Sequence, residues 1–214
     1  MSDVILKATY ETLYMVIGST FFAVILGFVP AIILTLTAPD GLKPNKVVYT
    51  ILDILVNIFR SFPFVILMVI VIPLTRLIAG KAIGTTAALV PLTISAIPFV
   101  ARVIESALRS VDVGLIEAAK SFGASDFQII YRIYLKEAFP AILSGITLTM
   151  ISIIGYSAMG GALGAGGLGD IAIRYGYYRY QADIMIVTVV LLVVLVQLFQ
   201  TIGMKLSVRL DKRK

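Results

Sequence analysis

The sequence contains no cysteine, no histidine and no tryptophan. Without cysteine there is no disulfide, no thiol nucleophile and no thiolate ligand, and without histidine there is no imidazole base. No metal site and no cofactor is expected, and the redox compartment stays undecided. Charge is scarce too: Asp, Glu, Lys and Arg make up 14% of the chain, against about 25% in a soluble domain. No G-x-x-x-x-G-K-[ST] phosphate loop occurs, since Gly80-Lys81 lacks both the upstream glycine and the following hydroxyl. ATP chemistry by that route falls to a partner, and the chain itself is not expected to be an enzyme.

What is present is apolar. Hydrophobic residues supply 59% of the 214 positions, and the mean hydropathy is +1.02. A single domain of this length, residues 1–214, could not cover a water-facing surface with so little polar material, so the bilayer is its solvent. A helix crosses the hydrocarbon core with about 20 apolar residues. Residues 12–39 carry no charge and hold a first span at about 13–36; others follow at 47–75, 82–101, 138–158 and 184–204. The second is interrupted by Asp53 and Arg60. The expected fold is an all-α membrane protein of about five transmembrane helices. The first span is too long for a signal-peptide core and no cleavage site follows it, so no removable leader is expected.

Five spans put the two ends on opposite sides. With the C-terminus inside, twelve lysines and arginines fall on the cytoplasmic side and five outside, with Arg60 in the membrane. The positive-inside bias gives N-terminus out and C-terminus in. The net charge of +6 is then a topology signal, and no nucleic-acid partner is expected.

This topology leaves a cytoplasmic segment at about 103–137. Within it, residues 113–122 are predicted to form a short helix stopped by Gly123, a residue that tolerates a left-handed backbone. A second helix starts at Ser125, with Gln128 three residues on as the other half of a capping box. Ala118 and Ala119 give the first helix a small-residue surface that another protein could approach closely. A plain solvated connection is the other reading of the pattern.

The run Glu117-Ala118-Ala119, followed by Gly123 and by Ile133 and Leu135, resembles the EAA loop of permeases in type I ABC importers. The family commonly has proline directly after that leucine, where this chain has Lys136, with Pro140 four residues later. The resemblance implies a coupling helix within 110–136, between helices three and four. Gly114, Leu115, Glu117, Ala118, Ala119, Lys120, Phe122, Gly123 and Ala124 would dock on a cytoplasmic ATPase. Arg60-Ser61-Phe62-Pro63, Tyr156-Ser157-Ala158-Met159 and the stretch from Gly160 to Tyr180 are similar to the methionine-uptake subfamily. That similarity implies a homodimeric permease with two ATPase subunits beneath it and an extracytoplasmic substrate-binding lipoprotein above. Its setting would be the bacterial cell membrane, in contact with lipid. Methionine as substrate rests on this resemblance; another amino acid or a small methionine-containing peptide is the alternative.

Other candidates keep two readings each. Asp53 and Arg60, seven residues apart, share roughly one helix face. A charge at mid-bilayer costs about 2.5–3.5 kcal/mol on insertion scales, so they either line a pathway or pair near the inner interface. Met159 is a gate or a structural methionine, and Ser157 accompanies it. Asp170, Arg174 and Tyr175 form an outer rim for the binding protein or a solvated loop. The tyrosines around 175–180 suit an interfacial aromatic belt. Gly164-Ala165-Gly166-Gly167-Leu168-Gly169 fits the dinucleotide-binding string, but that motif needs a preceding strand, and a close-packed bend fits better after a membrane helix. A membrane-embedded enzyme would show clustered ligands or acids within the spans, where Asp53 is the one acidic candidate. A stand-alone channel or secondary transporter would not need the docking helix.

Overall fold

In the chain, a computed structural model that describes residues 2–211, the apolar runs become helices and among the described residues there is no strand. Lys212, Arg213 and Lys214, which contribute to the charge bias, lie outside the described residues. Among the described residues four helices are long and apolar enough to cross a membrane, and counting one bent pair as a single span gives five. They fall in the order of the expected spans, and their number is four or five.

Helix α1 (Ser2–Thr37) begins well before the expected span and so includes Lys7 and Glu11. It lies chiefly along α5 (Thr85–Arg109), and α8 (Leu135–Gly161) packs on both. Met15, Val16 and Ala31 of α1, Leu92, Val100 and Ile104 of α5, and Ile153 of α8 form the core they share. Gly27 lets α1 approach the Ile97 carbonyl and Val100. The last helix, α10 (Ala182–Leu210), packs mainly on α8, and only 11% of its most apolar window is buried within the chain. A helix apolar all round and so little buried faces lipid or another apolar protein surface.

The second span is not continuous. Helices α2 (Lys46–Ser61) and α3 (Phe64–Ile70) meet at 101°. Phe62 and Pro63 between them are extended, at φ −69°, ψ 127° and φ −60°, ψ 126°. Proline has no N–H to continue the helix and disfavours helical geometry in the residue before it. The expected segment 47–75, already interrupted by Asp53 and Arg60 in the sequence, is thus divided at Pro63; its last residues belong to α4 (Ile72–Ala79), which ends on the left-handed Gly80. Helix α5 passes through Pro91 and Pro98 without a break and runs two turns beyond the expected end at 101.

After α5 come α6 (Val113–Ser121) and the single turn α7 (Asp126–Ile129). The sequence suggests two short helices at a bend, but α7 continues through a π-helical turn (Ile130–Tyr134) straight into α8. One helical run of 36 residues, Asp126–Gly161, therefore carries the chain from the elbow into the fourth span. At its far end, α9 (Gly167–Ile171) and a second π-helical turn (Ala172–Tyr177) lead to α10.

Candidate functional site

The elbow between α6 and α7 is built from local rules. Asp112 caps α6 by accepting the Gly114 N–H at 2.6 Å. Gly123 stands at φ +77° with open space around it, and its N–H donates to the Lys120 carbonyl at 2.9 Å. The capping box forms as the sequence predicts: the Gln128 N–H donates to Ser125 Oγ at 3.3 Å, and the Ser125 N–H to Gln128 Oε1 at 2.8 Å. Ile116 is the buried residue of α6, and Ala119 and Ala124 pack at the edge of the core. Gly114, Leu115, Glu117, Ala118, Lys120, Phe122 and Gly123 are exposed on the same elbow. Phe122 is 92% exposed, and Val113, Leu115 and Phe127 also project outward. A solvated connection has no need of such an apolar ridge; a surface that another protein covers does.

Beneath the elbow lies a set of charges that sequence reasoning missed. Lys43 reaches Asp126 at 3.2 Å, and Arg109, the last residue of α5, reaches Asp40 in the α1–α2 connection at 2.9 Å. Glu105, one turn earlier and 2% exposed, accepts from Arg102 at 2.7 Å and from the Tyr49 hydroxyl at 3.4 Å. Arg102 also donates to Asp53 at 2.5 Å and to Asn57 at 3.2 Å. A ladder thus runs Asp40–Arg109–Glu105–Arg102–Asp53 and ties α2 and the α1–α2 turn to α5. Asp53 is paired with a neighbouring helix, as the interface reading expects.

Arg60 stands apart from this ladder. Its guanidinium lies over the Phe99 ring at 5.2 Å, next to the break between α2 and α3. The other pathway candidates separate: Met159 is 52% exposed, whereas Ser157 is 2% exposed and donates to the Ile154 carbonyl at 2.8 Å. Two residues apart on a helix, they face different ways. Ser157 therefore looks into the chain, and Met159 and Arg60 keep outward faces.

The glycine-rich stretch is a close-packed corner, as expected, and its tether is new. A Cβ at Gly161 would meet the Asp170 amide, and one at Gly169 would meet the Ala158 carbonyl, so α8 and α9 cross backbone to backbone. Gly166 and Gly167 have positive φ, and the turn they make presents the first amides of α9 to α1. Glu11 accepts the Gly167 N–H and Thr12 Oγ1 accepts the Leu168 N–H, both at 2.9 Å. On the rim, Asp170 pairs with Arg174 one turn on, and Arg179 lies over Tyr175 at 4.6 Å. Of the three rim candidates, Asp170 and Arg174 are brought together, while Tyr175 packs under Arg179 and against the Leu168–Ile184 cluster; Tyr177, Tyr178 and Tyr180 are exposed.

Comparison with known proteins gives one answer. The chain is 55% identical over 214 residues to the probable D-methionine transport system permease protein MetI of Vibrio cholerae, covering 99% of this chain and 94% of that protein. It is 44% identical over 207 residues to the methionine import system permease protein MetP of Bacillus subtilis, covering 97% and 93%. A chain of the MetNI methionine ABC transporter, solved in an inward-facing conformation, superposes with a TM-score of 0.96 at 44% identity, covering 98% of this chain and 97% of that one. A chain of an amino acid ABC transporter crystallised with histidines shares the fold, with a TM-score of 0.76 at 17% identity. The family model for the inner membrane component of binding-protein-dependent transport systems matches residues 23–214, and the chain belongs to that family.

Proposed function

We propose that this chain is the membrane-spanning subunit of an ATP-driven methionine importer, N-terminus out and C-terminus in. Two copies surround a central pathway, and two cytoplasmic ATPase subunits bind beneath them. The observation that carries the reading is the near-complete superposition on a chain of the MetNI methionine ABC transporter at 44% identity. The α6 elbow supports it independently, through an apolar ridge held out on a short capped helix at the predicted cytoplasmic face.

In this mechanism ATP binding draws the two ATPase subunits together and moves both α6 elbows with them. The capped Ser125 turn joins the elbow directly to the helical run that continues into α8, and Arg109–Asp40 and Lys43–Asp126 join its base to α5 and the α1–α2 turn. Displacement of α6 therefore reaches three membrane helices at once. ATP shifts the equilibrium between inward- and outward-facing states only by the difference in its contact energy with the two. The rim around Asp170, Arg174 and Tyr175 receives a substrate-binding protein, and Met159 faces the pathway.

The test is uptake of labelled methionine into liposomes holding the chain with its ATPase and binding protein, in competition with a panel of amino acids and methionine peptides. ATP-dependent uptake displaced best by methionine is expected. Transport without any ATPase would remove the importer reading, and displacement by an unrelated amino acid would remove methionine.

A further inference from the structure

The feature left over by the mechanism is Arg60. Helix α2 rises about 1.5 Å per residue, so Arg60 stands about 21 Å along its axis from Lys46, and on the proposed topology that carries it into a hydrocarbon core about 30 Å thick. A permanent charge at that depth is kept only where it faces protein or water. The other charges between α2 and α5 are paired: Asp53 with Arg102, Glu105 with Arg102 and Arg109, and Arg109 with Asp40. Among the described residues, Arg60 has no carboxylate within ion-pair distance and only the Phe99 ring beneath it.

Its surroundings are specific. Asp53, Asn57, Arg60 and Ser61 follow at i, i+4, i+7 and i+8, one polar stripe of α2 turned towards α5. Immediately above, α2 stops: Phe62 is extended, and Pro63 has no N–H for the Phe59 carbonyl. The carbonyl oxygens left without a helical N–H therefore belong to the same last turn of α2 as Arg60. Phe59 and Phe62, with ring centroids 6.3 Å apart, add an apolar wall.

We infer that Arg60 is the pathway's contact for the α-carboxylate of a zwitterionic amino acid, with the freed carbonyls at the end of α2 facing its ammonium group. The guanidinium suits a carboxylate through its fork of donors, and a broken membrane helix offers its C-terminal carbonyls to a cation. The inference rests on the importer reading and deepens it.

The experiment uses the whole transporter in liposomes. Because the chain has no cysteine, Arg60→Cys introduces a single thiol into it, and the unsubstituted complex treated in parallel reports any reaction of the partners. Uptake by Arg60→Cys is expected to fall about tenfold or more, the loss of a hydrogen bond to a charged group. Aminoethyl methanethiosulfonate, which leaves an ammonium on the side chain, restores uptake; the sulfonatoethyl reagent does not. Saturating methionine slows the modification, and methioninol, which lacks the carboxylate, does not. In a reagent-free comparison, Arg60→Lys keeps uptake with a raised KM, and Arg60→Gln does not.

Uptake by Arg60→Gln equal to that of the unsubstituted complex overturns the assignment, as does equal protection by methionine and methioninol. So does a thiol at position 60 that neither reagent reaches. Loss of co-purification with the ATPase in all three variants overturns it in favour of a structural arginine. Absence of ATP-dependent methionine uptake in the unsubstituted complex would instead sink the importer reading itself.

Discussion

Glu105 is held by Arg102 from one side, at 2.7 Å, and approached by Arg109 from the other, at 3.8 Å. All three project from one face of α5, three and four residues apart, so the carboxylate bridges two arginines on its own helix while each arginine holds a different aspartate. Arg102 takes Asp53 of α2 and Arg109 takes Asp40 of the α1–α2 turn. Glu105 is the hinge pin of this arrangement, and the two outer acids are its reach.

Removing the pin takes away the acceptor that both arginines share and leaves each arginine with a single aspartate. Glu105→Leu should destabilise the purified complex by about 1.5–3 kcal/mol, the scale of losing a hydrogen bond to a charged group. Glu105→Gln, which still accepts a hydrogen bond, should lose less. Asp40 is largely exposed, and Asp40→Asn should change stability by under about 1 kcal/mol. Thermal unfolding of the three variants checks the order, and an Asp40 effect as large as that of Glu105→Leu would contradict this account of the ladder.

The crossing of α8 and α9 has no room for a methyl group. At Gly169 the obstructing atoms are the Ala158 carbonyl and Cα, and at Gly161 they are the Asp170 amide and the Gly169 backbone. Backbone in contact cannot rotate away as a side chain can. Gly169→Ala and Gly161→Ala should each cost about 1–3 kcal/mol or more, as overpacking does. The yield of folded, monodisperse protein reports this, and normal yield and melting temperature for both alanine variants would show that the two helices can part freely.

How far these features could be read from the residues alone depends on how far apart their parts lie. The spans were legible because each is a local run of apolar residues. The elbow was legible because Gly123 and the Ser125–Gln128 box act within a single turn. The ladder was not, since Asp53 and Arg102 are 49 residues apart and Asp40 and Arg109 are 69 apart. Glu105 sits past the apolar window of its span and showed no sequence signal beyond arginines at i−3 and i+4. Pro63 marks a place where the second span can kink, but the 101° angle of the break at Phe62–Pro63 was not legible, because it depends on how α3 packs against the other helices.

The tether of the glycine-rich corner joins residues 156 positions apart, and it is testable at single amides. Thr12→Val removes the acceptor for the Leu168 N–H and should cost about 1 kcal/mol, as loss of a helix cap does. Glu11→Gln keeps an acceptor for the Gly167 N–H and should have a smaller effect. Hydrogen exchange at Gly167 and Leu168 should quicken in Thr12→Val, roughly fivefold for that energy. Unchanged exchange at both amides would mean that α1 does not hold the corner.

Gly123 offers the cleanest separation of backbone strain from steric fit. Its φ is +77°, and a Cβ there would touch nothing within 4 Å, so a substitution acts through conformation alone. For an L-residue the left-handed region costs about 1–2 kcal/mol, less for asparagine and more for a β-branched side chain. Gly123→Asn should therefore work almost normally, whereas Gly123→Val should shift the angle between α6 and α7. Because Ser125 caps the run that continues into α8, a tilted elbow misdirects the motion handed to the fourth span. The expected sign is a lower ratio of methionine imported to ATP hydrolysed, with the apolar core and membrane insertion intact. Should Gly123→Val import as much per ATP as the glycine protein and bind the ATPase equally well, the left-handed turn would have no part in coupling.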